Sequence, residues 1–126
     1  MKKMKEEVKR WWKKSMRDLG NSKFNLKNKR YEEACFFAQQ AVEKGLKTLN
    51  IKTSGEFIKT HDLKFLAERV KAPEGIIDKC LKINPVYTES RYPDFIEIEA
   101  YTKEKSEEIL SFTKEILKWV KKELGI

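Results

Sequence analysis

The segment from residue 34 to residue 47, ACFFAQQAVEKGLK, constrains the fold more than any other part of the chain. At 100° per residue its smallest side chains form one strip along a helix: Ala34, Ala38, Ala41 and Gly45. Such a strip lets a neighbouring helix approach closely, because no long side chain keeps the two backbones apart. The sequence therefore predicts a helix, from about Tyr31 to Leu49, that packs tightly against others.

Apolar periodicity predicts helices along the rest of the chain as well. The first runs from about Met4 into the twenties, and a short one near residues 61–70 takes Thr60 as its N-cap. The next starts with Pro73 in its first position and stops at residues 84–85, and the last begins near Ile96. Residues 50–59 and 86–95 are expected to be loops. We therefore expect one all-α domain over residues 1–126, an antiparallel up-and-down bundle of four to five helices.

Large and sulfur-containing side chains are expected inside this bundle. Trp11 and Trp12 lie on the apolar arc of the first helix, which favours core anchoring over base stacking. Cys35 and Cys80 belong to no metal-binding motif and are expected to be buried, reduced thiols. No apolar run approaches the length that spans a membrane, so we expect a cytoplasmic protein. No motif predicts a metal or a cofactor.

Positive charge is concentrated at the N-terminal end of the chain. Residues 1–30 hold 12 Lys and Arg against 3 Asp and Glu, a net charge of +9, and the remainder holds 16 against 17. Four basic residues lie opposite the apolar arc of the first helix: Arg10, Lys13, Lys14 and Arg17. This asymmetry indicates a surface for nucleic acid, nucleotides or an acidic partner, and a merely solvated basic face remains the alternative.

The second helix carries a polar face that a core helix does not need. Its members are Phe36, Gln39, Gln40, Glu43, Lys44 and Lys47. In one interpretation Phe36, Gln40 and Glu43 form a homodimer interface, with Phe36 as an apolar anchor inside a polar rim. In another, Gln40, Lys44 and Lys47 contact a nucleotide through amide and ammonium groups. In the third the face is internal: the glutamines bond to loop backbone and Glu43 pairs with Lys47.

The block RYPD, residues 91–94, is the second candidate site. Asp94 is expected to cap the last helix, which would place Arg91 beside free N–H groups and create an anion pocket. The alternative is an ion pair of Arg91 that fixes the loop. Tyr92 is expected to be a half-buried ring. His61 beside Asp62 is interpreted as a histidine at a helix start, because adjacent helical residues do not face each other.

Several blocks in a fixed order resemble a known family. The blocks are DL at 18–19, YEEACFFAQQAVEKGLKTL at 31–49, KTHDL at 59–63 and SRYPD at 90–94, followed by a long amphipathic segment. Together they resemble the HEPN domain family, named for higher eukaryotes and prokaryotes nucleotide-binding, in its prokaryotic and archaeal type without the ribonuclease motif. The resemblance implies a helical bundle that dimerises. It also implies a minimal nucleotidyltransferase as partner, in a toxin–antitoxin type of system.

Many members of that family are ribonucleases that use an Arg and a His with four to six residues between them. This chain has Arg91 in the matching place, but residues 96–98 read Ile-Glu-Ile and no such motif occurs. The resemblance therefore implies a nucleotide- or RNA-binding module. The residues proposed above for its ligand are Arg91, Tyr92 and Asp94, with Gln40, Lys44 and Lys47 on the polar face. One alternative is a divergent metal-independent ribonuclease that uses Arg91 with Tyr92, Asp94 or Glu97. The other is a non-enzymatic dimer that binds nucleic acid or protein.

Overall fold

The computed structural model describes residues 2–92, 94 and 97–126, with the side chains of residues 2–5 and 98 left aside. Every regular element in these residues is helical, which confirms the predicted all-α fold. The α-helices are α1 (Lys2–Lys27), α2 (Tyr31–Ser54), α3 (Leu63–Arg69), α4 (Glu74–Ile83), α5 (Val86–Arg91) and α6 (Lys103–Leu124). A short 3-10 helix, Ile98–Ala100, precedes α6. All five predicted helices are present, and α5 is an addition in a segment expected to be a loop.

Helices α1 and α2 form an antiparallel hairpin in which the two backbones lie close together. The Ser15 hydroxyl donates to the carbonyl of Ala41 at 2.6 Å, and the Ser22 hydroxyl donates to that of Ala34 at 2.7 Å. Bonds this short between a side chain and a helix carbonyl need a neighbour without bulk, and alanine provides it. The small-residue strip therefore does what the sequence predicted.

The long helices alternate in direction around the bundle. Helix α6 runs parallel to α2, because the Ser106 hydroxyl bonds to Tyr31 at one end and the Lys52 ammonium to Leu124 at the other. Helix α4 runs antiparallel to α6: Lys79 lies near Glu115, whereas Lys82, further along α4, lies over the ring of Phe112. In chain order α1, α2, α4 and α6 thus point alternately up and down, as an up-and-down bundle requires.

Gly45 lies where α1, α2 and α6 come closest. A Cβ atom added there would lie 2.6 Å from Cδ2 of Leu117 and 3.3 Å from Oγ of Ser15. Around this point one continuous core includes fully buried leucine and isoleucine side chains from four helices: Leu46, Leu63, Leu66, Ile83 and Ile116. Burying each stabilises the fold by about 1.5–3 kcal/mol. Packing, more than helix propensity, therefore holds these helices in place.

Helix α2 is longer than predicted, and the expected loop at residues 50–59 begins only after Ser54. The hydroxyls of Thr53 and Ser54 bond back to the carbonyls of Leu49 and Asn50 and so belong to the last turn. Gly55 ends the helix with a positive φ of 76°, and its N–H bonds to the carbonyl of Ile51. The glycine, and not the preceding polar run, is the stop signal.

The N-cap of α3 also differs from the prediction. Asp62, and not Thr60, is the cap: one carboxylate oxygen accepts from the N–H groups of Lys64 and Phe65. The same oxygen accepts from the side-chain amide of Asn84, whose own oxygen takes the N–H of Leu63. Thus α3 begins two residues later than predicted, and its start is tied to the end of α4. Pro73 is the residue before α4 and not its first residue.

The segment before the last helix overturns two predictions. Helix α6 begins at Lys103, capped by the Thr102 hydroxyl, so Asp94 does not cap it and Arg91 does not lie at its N-terminus. Arg91 is instead the last residue of α5. Tyr92 is extended. The predicted start of this helix near Ile96 lies outside the described residues.

The large and sulfur-containing side chains are distributed as follows. Trp12 packs against the core, but Trp11 does not belong to the core cluster and packs at a tilt against Phe57, so the prediction was wrong for Trp11. Cys35 and Cys80 are buried and free, as predicted. Within the described part of the chain, no helix has the length and apolar character needed to span a membrane.

Candidate functional site

The polar face of α2 holds a buried network centred on Glu43. The carboxylate of Glu43, 4% exposed, accepts from the ammonium of Lys47 at 2.9 Å and from the amide of Gln39 at 3.3 Å. Gln40 in turn donates to Gln39 at 2.6 Å. The ion pair is the one that the internal interpretation predicted, but the glutamines bond to each other and to Glu43, not to loop backbone. A buried carboxylate with three partners is a rigid anchor for whatever it contacts.

His61 is the third partner of Glu43. Its Nδ1 lies 2.8 Å from a carboxylate oxygen of Glu43, and the ring is half exposed. Because that oxygen accepts, Nδ1 carries the hydrogen and Nε2 is left to face other groups. His61 precedes the N-cap of α3 instead of lying inside a helix. The structure therefore gives this histidine an orienting carboxylate, which the sequence did not reveal.

Tyr87 joins His61 to Arg91. The rings of His61 and Tyr87 stack with centroids 4.0 Å apart at 15°, and the guanidinium carbon of Arg91 lies 5.0 Å from the centroid of Tyr87. Tyr87 and Arg91 are one turn apart on α5 and so share a face. A cation and an imidazole thus contact one aromatic ring, and we call His61, Tyr87 and Arg91 the aromatic triad.

Two contacts fix α5 and hence the triad. Glu89 accepts a hydrogen bond from the hydroxyl of Tyr101 at 3.3 Å and lies 3.7 Å from the ammonium of Lys105. Burial and the charge of Glu89 raise the pKa of the Tyr101 hydroxyl well above its usual value, so this phenol stays protonated.

On the α3 side of the triad, Asp62 is next to His61 in the chain. The hydrogen bond from Asn84 is the main cause of the lowered pKa of Asp62. The triad is therefore held between α3 and the start of α6.

An open cleft of about 470 Å³ lies beside the triad. It is lined by His61, Asp62, Leu81, Asn84, Pro85, Tyr87 and Thr88. The cleft offers an aromatic face, an imidazole and an amide, which are groups that contact nucleobases and sugars. No cluster of three or more His, Cys, Asp or Glu that could hold a metal ion occurs among the described residues.

Arg91 and Phe36, predicted for different roles, line one shallow pocket. Its walls are Glu32, Glu33, Phe36, Ser90 and Arg91. Phe36 is half-buried and packs edge-on against Phe37, with ring centroids 5.4 Å apart. Burial, with the neighbouring Glu33, raises the pKa of Glu32. Because two carboxyl groups share this pocket, it suits an apolar or cationic contact better than a phosphate.

The predicted lysines are engaged within the chain. The ammonium of Lys44 lies 2.5 Å from the carboxylate of Asp18, which is 2% exposed and also lies near Lys14. Lys47 is 5% exposed and bonded to Glu43. The same burial places Glu43 inside this chain, so an interface on α2 would have to use Phe36 and Gln40. The ligand and interface roles of these residues stay predictions.

The remaining predicted residues are at the surface. Tyr92 is half exposed and Asp94 is exposed in a turn. The four members of the basic patch are exposed on α1: Arg10, Lys13, Lys14 and Arg17. Their roles also stay predictions.

Sequence reasoning missed Tyr87 and undervalued His61. The sequence did hold a signal for the helix that carries Tyr87, because proline is well suited to the start of a helix. In the structure Pro85 has helical φ and ψ and directly precedes α5. In such a helix Tyr87 and Arg91, four residues apart, would lie on the same face. His61 gave no such signal, because its partner Glu43 is distant in sequence and meets it only in the folded chain.

Comparisons with known proteins agree with this architecture. The family model described as HEPN domain matches residues 8–124. The crystal structure of TT1696 from Thermus thermophilus superposes with a TM-score of 0.85 and 28% identity, covering 92% of this chain and 97% of that one. The crystal structure of ST0689, an archaeal HEPN homologue, superposes with a TM-score of 0.78 and 32% identity over 91% of this chain and 95% of that one. No curated protein sequence matches the chain.

Proposed function

Since this chain belongs to the HEPN domain family, we propose that it is a nucleotide- or RNA-binding module whose ligand lies at the aromatic triad. The observation that carries the proposal is the meeting of His61 and Arg91 on the ring of Tyr87, beside an open cleft. A base can lie in the cleft that His61 and Tyr87 line, while the exposed guanidinium of Arg91 meets a phosphate outside the pocket that it shares with Glu32 and Glu33. Tyr92 and Asp94 follow Arg91 closely in sequence, and we propose that they contact the ligand at the edge of the triad site.

The resemblance also supports two partners. We propose that the chain forms a homodimer through Phe36 and Gln40, and that it works beside a minimal nucleotidyltransferase in a toxin–antitoxin type of system. The pocket shared by Phe36 and Arg91 supports the dimer, because its apolar and acidic lining suits a protein contact. Phe36→Asp is expected to give monomers in light scattering, and a dimer in that variant would exclude this interface.

The binding proposal is tested by calorimetric titration with ATP, GTP and a short single-stranded RNA at two salt concentrations. Arg91→Ala is expected to weaken binding about tenfold or more, because a charge-assisted contact to phosphate is lost. Arg69→Ala, which removes an exposed arginine paired with the exposed Glu56, is the matched control and should leave binding unchanged. If Arg91→Ala and Arg69→Ala bind the ligand with equal affinity, the ligand does not bind at the triad.

Divergent ribonuclease activity is a second candidate, and one observation favours it. Cleavage without a metal needs a proton acceptor and a cation for the phosphate, and the imidazole of His61 and the guanidinium of Arg91 share one ring. His61 would accept the proton of the 2′-hydroxyl as that oxygen bonds to phosphorus, while Arg91 stabilises charge on the phosphate. The bond from phosphorus to the 5′-oxygen would then break, leaving a 2′,3′-cyclic phosphate, and water would supply a proton to the departing oxygen. Cleavage that survives chelation and is lost in both His61→Ala and Arg91→Ala would support this candidate. Cleavage that persists in both variants would refute it.

A further inference from the structure

A second surface of the molecule has no part in the proposed triad site. Trp11 of α1 packs against Phe57, which follows α2, with ring centroids 5.1 Å apart and the rings tilted at 35°. Phe57 is 48% exposed, although it is a large apolar side chain. The ammonium of Lys47 lies 5.2 Å from the centroid of the same ring. We call Trp11 and Phe57 the aromatic pair.

The aromatic pair lies within positive charge. Trp11 lines a shallow cleft of about 270 Å³ with Arg10, Lys14 and Lys44. Asp18 is buried beneath two of these cations, so the four charged groups sum to +2. Among the side chains that the structure describes, no carboxylate lies within 4.0 Å of Arg10. The same holds for Lys13 and Arg17, so these cations are available to an external anion.

We propose that the aromatic pair and its surrounding cations bind single-stranded nucleic acid by stacking its bases and neutralising its phosphates. Aromatic rings beside a basic groove are the arrangement that binds single strands without sequence preference, because every base has a stacking face. An acidic protein would satisfy the cations but would leave the exposed ring of Phe57 and the half-buried ring of Trp11 without a role. A duplex would satisfy the phosphate contacts but would keep its bases stacked on each other. The proposal stands on this surface alone and does not require the triad site.

The test is a fluorescence titration of the full chain with single-stranded RNA and DNA oligomers of about ten nucleotides. Trp11→Ala and Phe57→Ala are each expected to weaken binding of one or both oligomers about tenfold, because each removes a stacking surface. Trp11→Phe should keep most of the affinity but lose most of the tryptophan quenching. Phe24→Ala removes an aromatic side chain that is 64% exposed on the same helix and should change nothing.

The contribution of charge is tested in the same titration with two further variants. Arg10→Ala is expected to reduce the slope of log affinity against log salt by about one, as for one lost phosphate contact. Lys103→Ala removes an exposed cation at the start of α6, where that helix lies beside the start of α2, and should leave the slope unchanged. An abasic oligomer of the same length should bind the unaltered chain about as weakly as the intact oligomer binds Trp11→Ala.

Three results would overturn the proposal. Binding lost in Arg91→Ala but kept in Trp11→Ala and Phe57→Ala would place the strand at the triad and not here. Binding of poly-glutamate as tight as that of the oligomers, with no effect of Trp11→Ala, would make this a surface for an acidic protein. No binding of either oligomer by the folded chain would leave no nucleic-acid site. Conversely, an unchanged affinity in Arg91→Ala, with loss in Trp11→Ala, would support this surface and count against the triad as the site for RNA.

Discussion

Asp62 joins two helices through one carboxylate oxygen. That oxygen caps α3 and also accepts the amide of Asn84 at the end of α4. We expect Asp62→Ala to lower the free energy of unfolding by about 1 kcal/mol, the usual effect of losing an N-cap. Urea denaturation at neutral pH measures the difference. Thr60→Ala is the control, because Thr60 accepts the N–H of Asp62 but is not the N-cap of α3.

The contribution of Asp62 depends on pH in a direction that its environment fixes. The hydrogen bond from Asn84, followed by those from backbone N–H groups, lowers its pKa in the folded chain below 3.8. A lowered pKa means that the stabilisation is complete above 3.8 and is lost as the pH falls through the folded value. The stability gap between the unaltered chain and Asp62→Asn should therefore be largest near neutrality and shrink in acid. A gap that does not change with pH would contradict this assignment.

Individual residues also explain why the site was only partly predictable. The Glu43–Lys47 pair lies one helical turn apart, so sequence spacing was enough to propose it. The contact between Glu43 and His61 joins residues on different elements, and nothing local in the sequence predicts it. Arg91 was identified as a site residue, but its neighbours depend on α5, a helix in a segment predicted to be a loop. Sequence patterns thus found side chains with the right chemistry and missed the packing that brings them together.

At the scale of the helix, Gly45 is the position where α2 cannot accept more volume. An added Cβ would lie 2.6 Å from Leu117, so that side chain or α6 itself must shift. We expect Gly45→Ala to destabilise the protein by about 1–2 kcal/mol, because overpacking outweighs the gain in helix propensity. Thermal or urea denaturation followed by circular dichroism measures the change.

Gly20 provides the matched control in the neighbouring helix. No atom lies within 4 Å of a Cβ added there, and the residue is exposed within α1. Gly20→Ala should therefore stabilise the protein by about 0.5–1 kcal/mol through helix propensity alone. Opposite signs for the two substitutions would establish that close helix approach is specific to Gly45. The same sign in both would show that the contact with Leu117 relaxes without cost.

Helices were predicted correctly where the apolar pattern extends over many residues. The predictions failed for a short helix and for a helix end, which depend on one or two residues. Helices α1, α2 and α6 each exceed twenty residues and were found from their apolar arcs. Helix α5 has six residues, too few for a periodic pattern to be recognised. The predicted end of α2 was wrong because Thr53 and Ser54 are typical loop residues, although their hydroxyls also bond well to helix carbonyls. The polar residues thus led to a predicted end of α2 that was too early, whereas Gly55 ends the helix in the structure.

For the whole molecule, most of the net charge and most of the buried core lie in different parts of the chain. The net charge of +9 on residues 1–30 is concentrated on α1 and the turn after it, whereas the core includes residues of α2, α3, α4 and α6. The cations of α1 repel one another, and the contacts of α1 with α2 hold that helix in place against this repulsion. This separation lets a strongly basic face persist without placing unpaired cations in the interior.

The continuity of the core predicts that the molecule unfolds as one unit. Cys35 on α2 and Cys80 on α4 belong to the same buried cluster. Burial raises the pKa of the Cys80 thiol to about 12 and also raises that of Cys35. Each thiol is therefore protected twice, by lack of access and by a small thiolate fraction, and a thiol reagent at about pH 8 should react only after the chain opens.

We expect both thiols to report the same opening. Labelling rates of Cys35→Ala and Cys80→Ala, each with one remaining thiol, should rise with urea with the same dependence, equal to that of global unfolding. If α3, α4 and α5 opened separately, Cys80 would label with a weaker urea dependence than Cys35. The Asp62→Ala substitution sharpens the comparison, since it loosens the tie between α3 and α4. In a single cooperative unit it should accelerate labelling of both thiols equally, whereas faster labelling of Cys80 alone would show that the triad lies on a part of the molecule that opens by itself.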